Sequence, residues 1–349
     1  SPTKRRILLS SLILICAAGI ANAVILDSGR IRLELHEGIG RFTLGYREAV
    51  TSSRFQPLFY DRDPRTSVIT VLQGNRTLRL GEAGAFSEEV VERQDGIGFR
   101  WTSRTLLVEL DFTFTASQGA ALSDAVVATL RLRNTSEAAV TLGARLLLDT
   151  DLGEQNGPHF RVSGIGAIDR ETELTPSPAI WYWRSESAED GPGLQQTLYG
   201  PGITVPSRVV LANWKRLSDT AYDFQVTRNR NFNQLPYSVN DSAVAVYYEG
   251  QVVPAGESRE IVMVFGSPTG SGYALGGAGT GTGINSILDQ VAATAGADLS
   301  PSEEILRIND LVDQIDRLLA TGQPITVDDL AVIEQILAQL EERRTQFGQ

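Results

Sequence analysis

Sulfur and imidazole are scarce in this chain, and the common catalytic signatures are missing. The single cysteine, Cys16, lies in an N-terminal stretch that reads as a secretory signal. Lys4, Arg5 and Arg6 precede an apolar run over 7–20, and Ala21-Asn22-Ala23 has the small-x-small pattern of a signal-peptidase site. Cleavage there removes the thiol, which excludes disulfide staples and thiolate metal ligands from the mature chain. Ile15, directly before Cys16, argues against lipidation. The run is short for a membrane span, and the alternative to cleavage is an N-terminal anchor. Only His36 and His159 can supply imidazole chemistry. No Gly-Lys-Ser/Thr phosphate loop, Gly-x-Ser-x-Gly elbow or His-Glu-x-x-His helix occurs.

Positive charge is also in deficit. Formal net charge is -11 over 349 residues, and it becomes -14 when the three N-terminal cations leave with the signal. Such a surface argues against nucleic acid or anionic lipid headgroups as partners, and suits a soluble periplasmic or extracellular protein.

What is present is a long series of short alternating segments. Ile31, Leu33 and Leu35 alternate with polar residues, and Phe42, Leu44 and Tyr46 do so after a glycine-containing turn, which predicts a hairpin. Strands are expected at about 67–72, 76–80, 85–92 and 97–103. In 106–115, Val108, Leu110, Phe112 and Phe114 share one face. Over 123–149, Val126, Ala128, Leu130 and Leu132 oppose Val140, Leu142, Ala144, Leu146 and Leu148 across an Asn/Thr/Ser turn, and this stretch reads as the central hairpin of a sheet. Val244, Val246 and Tyr248, then Ile261, Met263 and Phe265, read as a closing hairpin. Residues 216–241 have no clear period. With no interleaved amphipathic helices, the pattern predicts a mainly β fold over 24–266, a large two-sheet antiparallel sandwich.

The composition then changes. Residues 267–283 are glycine-rich and read as a linker. Residues 284–349 read as a helical appendage. Ser300-Pro301-Ser302-Glu303 is a capping box with proline at the first helical position. Ile305, Ile308, Leu311, Val312, Ile315, Leu318 and Leu319 form one apolar stripe, and Leu330, Ile333, Ile336, Leu337 and Leu340 form a second. The two predict an αα-hairpin whose stripes must face each other, the β-domain, or another chain, so an oligomer built through these helices is one expectation.

The run 129–160 carries a resemblance. A strand ending Arg133-Asn134-Thr135 is followed by a strand ending Arg145-Leu146-Leu147-Leu148-Asp149-Thr150. Then come Leu152-Gly153 and Asn156-Gly157 before an aromatic. This resembles bacterial exported β-supersandwich domains of the galactose-mutarotase and carbohydrate-binding superfamily. The ending Val253-Pro254-Ala255-Gly256-Glu257-Ser258 with Phe265-Gly266 is similar to the closing hairpin of such domains. The resemblance implies a supersandwich whose concave face meets sugar. Epimerases of that superfamily use a histidine acid and a glutamate base, and no full set of that kind can be matched here.

The polar loop inside that run is the candidate site. Asp149, Asp151 and Glu154, with Asn156 and His159 close by, could bind Ca²⁺ through oxygen ligands, although the spacing is not that of an EF-hand loop. The same residues could equally serve to build turns. Trp181, Trp183 and Trp214 could form a stacking platform for sugar rings, or could fill the core, as expected of Trp101. Asn75-Arg76-Thr77 and Asn134-Thr135-Ser136 match a glycosylation pattern that needs a eukaryotic secretory route. The reading reached is an exported, non-catalytic binding or assembly protein of the cell envelope. Its β-domain would recognise a glycan or a protein surface, and its helical tail would mediate association. A carbohydrate-active enzyme using the 149–160 loop, and a purely structural subunit of an envelope complex, are the alternatives.

Overall fold

The computed structural model describes residues 23–49, 52–93, 96–117, 120, 122–154, 157–187, 191–270, 273 and 275. The chain is mainly β; the described residues form three antiparallel sheets and two short helical turns. The predicted signal, the tail helices and most of the linker lie outside the described residues. Among those described, no helix is long and apolar enough to cross a membrane.

The four-stranded sheet runs Ala23–Ser28, Ile31–His36, Arg41–Tyr46, Gln56–Pro57. The hairpin expected over 31–46 forms its centre, with Leu33 opposite Leu44. The nine-stranded sheet contains, from its centre to one edge, Ser258–Gly266, Ala125–Asn134, Leu106–Thr115, Ile97–Thr102 and Ser87–Glu92. Toward the other edge lie Gly193–Thr197, Tyr182–Glu186, Phe160–Val162 and Gly166–Ile168. The six-stranded sheet is ordered Thr172–Leu174, Arg208–Asn213, Ser242–Val253, Val140–Asp149, Val68–Gln73, Arg76–Arg79. One core joins all three. Leu33 and Leu44 of the small sheet, Val126, Leu130 and Phe265 of the large one, and Leu142, Leu146 and Val246 of the third belong to it.

Two of the expected hairpins are not hairpins. Ala125–Asn134 and Val140–Asp149 lie in different sheets, and so do Ser242–Val253 and Ser258–Gly266. Each pair is joined by an arch. Ala125–Asn134 pairs instead with Ser258–Gly266, and Val140–Asp149 with Ser242–Val253. The two arches lie side by side, the Asn134 amide donating to Glu257 O at 2.9 Å and that of Gly256 to Asn134 O at 2.9 Å. The buried Asn134 side chain donates to Ala138 O at 2.8 Å and Val253 O at 3.0 Å, which locks both turns. The apolar faces of consecutive strands therefore meet across the sandwich rather than side by side. Alternation predicts which residues turn inward, but not whether the next strand pairs or crosses over.

The six-stranded sheet is buried on both faces. Residues 214–226, which have no period in sequence, cover its outer face. Val68, Leu147, Val210, Ala245 and Tyr247 pack there against Leu217, Tyr222 and Phe224. The cover is held by arginines. Arg145, itself buried, donates to Leu217 O at 2.9 Å and Thr220 O at 3.0 Å, and Arg79 donates to Ser218 O at 2.6 Å. These carbonyls end the short helix Trp214–Ser218, where a cation is favoured. Inside the predicted linker, Tyr273 is buried and its hydroxyl donates to Ser267 O at 2.9 Å, so the chain is still packed against the nine-stranded sheet at that point.

Candidate functional site

The site forms where Val140–Asp149 ends beside the start of Ser242–Val253. Asp149 stands opposite Ala243 in the ladder, so Asn240, Asp241 and Ser242 arrive next to the loop that follows Asp149. Asp149 is anchored through its backbone, its amide donating to Ser67 Oγ at 2.9 Å and its carbonyl accepting from Tyr60 N at 2.9 Å. The chain then reverses tightly. Asp151 adopts φ 55°, a left-handed conformation that Asp tolerates. At Gly153 a Cβ would lie 2.5 Å from His159 O, so only glycine fits that crossing.

The reversal brings Glu154 onto the neighbouring strand, where its Oε1 accepts from Ser242 N at 2.6 Å. Asp149, Glu154 and Asp241 each place a carboxylate oxygen in a group within 4.8 Å. Among the described residues no arginine or lysine pairs with any of the three. Burial pushes all three carboxyls up, Asp149 to about 7 and Glu154 to about 9. Mutual repulsion adds to it, and Glu154 also shares a hydrogen bond with Asp151. Raised carboxyl pKa values mean that protons hold the group together at neutral pH, and the same three oxygens could ligate a divalent cation.

His159 closes the network. Its Nδ1 lies 2.7 Å from Ser242 Oγ and its Nε2 2.9 Å from Asn240 Oδ1. The Asn240 Nδ2 donates to Glu154 O, so Oδ1 is the accepting atom and His159 carries its proton on Nε2. Nδ1 then accepts the Ser242 hydroxyl proton. Burial lowers the His159 pKa, in keeping with a neutral ring. The ring packs on Phe232, with centroids 4.7 Å apart. Both ring nitrogens are thus committed to the fold.

Beside the cluster opens a cleft of about 230 Å³. Gln56, Asp61, Thr150, Asp151 and Ser187 bring polar groups to it, and Phe59 and Leu152 bring apolar ones.

Of the residues singled out in the sequence, Asp149, Glu154 and His159 come together, Asp151 lines the cleft, and Asn156 lies outside the described residues. The tryptophans do not assemble into a platform. Trp183 is fully buried in the main core, its Nε1 donating to Gln196 Oε1 at 2.8 Å. Trp214 packs under the cover of the six-stranded sheet and donates to Thr66 O at 2.9 Å. Trp181 is half-buried with its ring edge on Tyr182. Trp101 is in the core, as expected. His36 bonds Thr43 Oγ1 at 3.0 Å within the four-stranded sheet and takes no part in the cluster. Asn240, Asp241 and Ser242 were not legible as site residues. Their only signal is an Asn-Asp-Ser run immediately before a strongly apolar strand.

No protein-family model matches the chain, and no curated protein matches it. Solved structures do. A galactose mutarotase related enzyme from Lactobacillus acidophilus is similar at 6% identity and a TM-score of 0.43, over 71% of this chain and 97% of that one. A galactose mutarotase-like protein from Lactobacillus casei is similar at 8% identity and a TM-score of 0.44, over 70% and 100%. A heparan sulfate lyase from Pedobacter heparinus is similar at 11% identity and a TM-score of 0.35, over 73% of this chain and 36% of that one.

Proposed function

We propose that this chain is an exported, non-catalytic carbohydrate-binding protein that holds its glycan in the cleft bounded by Asp61, Asp151 and Phe59. One observation carries the reading. The groups that would serve as acid and base are spent on structure, while the polar groups beside them open onto a cleft. An acid or base catalyst needs an atom free to exchange a proton with substrate, and His159 offers neither ring nitrogen. The cleft combines carboxylate, amide and hydroxyl groups with some apolar lining, a chemistry that can receive sugar hydroxyls and a ring's C–H face.

The test is calorimetric titration with neutral and acidic oligosaccharides, run beside assays for turnover of the same sugars. Binding without turnover is the expected result, weakened about 10- to 100-fold in Asp61→Asn, which removes one charge-assisted hydrogen bond. Asp61 is exposed and its loss leaves the carboxylate cluster untouched. Turnover that disappears in His159→Ala would establish a carbohydrate-active enzyme instead, and no binding to any sugar tested would remove the glycan reading.

A further inference from the structure

The loop 233–240 exposes more large apolar surface than any other short stretch among the described residues. Leu235 is 72% exposed, Tyr237 76% and Val239 62%. Their exposure is built in. Within the loop, Gln234 N donates to Ser238 O at 2.7 Å, Tyr237 N to Gln234 O at 2.8 Å, and Asn240 N to Asn233 Oδ1 at 2.6 Å. From beneath, Ser238 Oγ is tied to Asn213 at 2.8 Å and to Asp241 at 2.6 Å. A pinned backbone holding three apolar side chains in water marks a contact surface.

Charge selects the occupant. Residues 224–240 carry two arginines and no acidic residue, in a chain of net charge -11; Arg230 is set against buried Glu171 at 3.7 Å, which leaves Arg228 as the cation turned outward. Arg228 is exposed and has no ion-pair partner among the described residues. Residues 300–349 carry ten acidic residues against four basic, and two apolar stripes that need cover. The last described residue, Leu275, packs beside Pro201. The 25 residues from there to Ser300 can span about 80 Å. A body of this size has a radius of gyration of about 18 Å, so the segment can reach any face.

We infer that residues 300–349, predicted as the helical hairpin, dock in cis on the apolar loop 233–240, guided by Arg228. An apolar stripe covers Leu235, Tyr237 and Val239, and its acidic flank meets Arg228. This docking is independent of whether the cleft takes sugar.

Hydrogen exchange on the full chain, with its mass followed by light scattering, tests this. Amides of 305–319 are expected to exchange at least tenfold more slowly in the full chain than in the free peptide 300–349. The protection should be lost in Leu235→Ser/Tyr237→Ser/Val239→Ser, and reduced severalfold both in Arg228→Glu and in 0.5 M salt, with the protein monomeric throughout. All four side chains are exposed, and unchanged protection in Val140–Asp149 reports an intact fold. Protection that survives both variants overturns the inference, as does equal protection in the free peptide. A concentration-dependent dimer that carries the protection also overturns it, because the tail then belongs to a second copy.

Discussion

Raising the pH from 7 to 9 is expected to destabilise the protein by about 2–3 kcal/mol, lowering the melting temperature by about 5–10 °C. The cause is the carboxyl cluster. Asp149 is raised to about 7 and Glu154 to about 9, chiefly by burial, and Asp241 is raised as well. In the unfolded chain these groups titrate near 4. A folded state with raised carboxyl pKa values binds more protons than the unfolded one. Its advantage is complete below about pH 4 and is lost as pH rises through 7 and then 9. His159 and His36, both lowered by burial, act in the opposite sense, but only below about pH 6.5, so the window from 7 to 9 isolates the carboxyls. Glu154→Gln should flatten the profile. The amide oxygen keeps the bond from Ser242 N, and the amide nitrogen donates where the carboxyl proton does. Thermal melts of both proteins across this range decide the matter, and parallel profiles would show that the cluster does not carry the pH dependence.

Asn213→Ala should cost about 3–4 kcal/mol and loosen the site without replacing a site residue. Asn213 is fully buried at the end of Arg208–Asn213. Its Oδ1 caps the helix Trp214–Ser218 by accepting from Arg216 N at 3.1 Å. Its Nδ2 lies 2.9 Å from Phe232 O, 2.8 Å from Ser238 Oγ and 2.9 Å from Asp241 O. One amide therefore joins the cover of the six-stranded sheet to the loop that delivers Asn240 and Asp241. Losing an N-cap costs about 1 kcal/mol, and leaving two buried partners unsatisfied costs about 1 kcal/mol or more each. Faster hydrogen exchange at Asp241 and Ser242, with a melting temperature about 10 °C lower, is the expected signature. Asn213→Asp keeps the cap but loses the donors, and should rescue little. A melting temperature within 1 °C of the parent in Asn213→Ala would show that the junction does not depend on this side chain.

The candidate site was half legible. Asp149, Glu154 and His159 could be suspected together because they fall within eleven residues of one another, in a loop that follows a buried strand. Asp241 and Ser242 are more than eighty residues away, in a stretch without period, and nothing local ties them to Asp149. The tryptophans misled for a related reason. Trp181 and Trp183 share a face in extended chain, but Trp181 lies just outside the strand Tyr182–Glu186, and Trp183 turns into the core.

By itself the sequence determined the longer alternating strands and their inward faces. Ile31, Leu33 and Leu35, or Val108, Leu110 and Phe112, must turn inward at alternate positions because a strand has a period of two and apolar surface leaves water. Only the tertiary structure decided which strands pair. Arches and hairpins have the same alternation and the same turn residues, and the choice between them comes from packing two sheets over one core. The same step decided the site. Pairing Val140–Asp149 with Ser242–Val253 sets buried Asp149 beside half-buried Glu154 and Asp241, and their proton affinity follows from that proximity and burial.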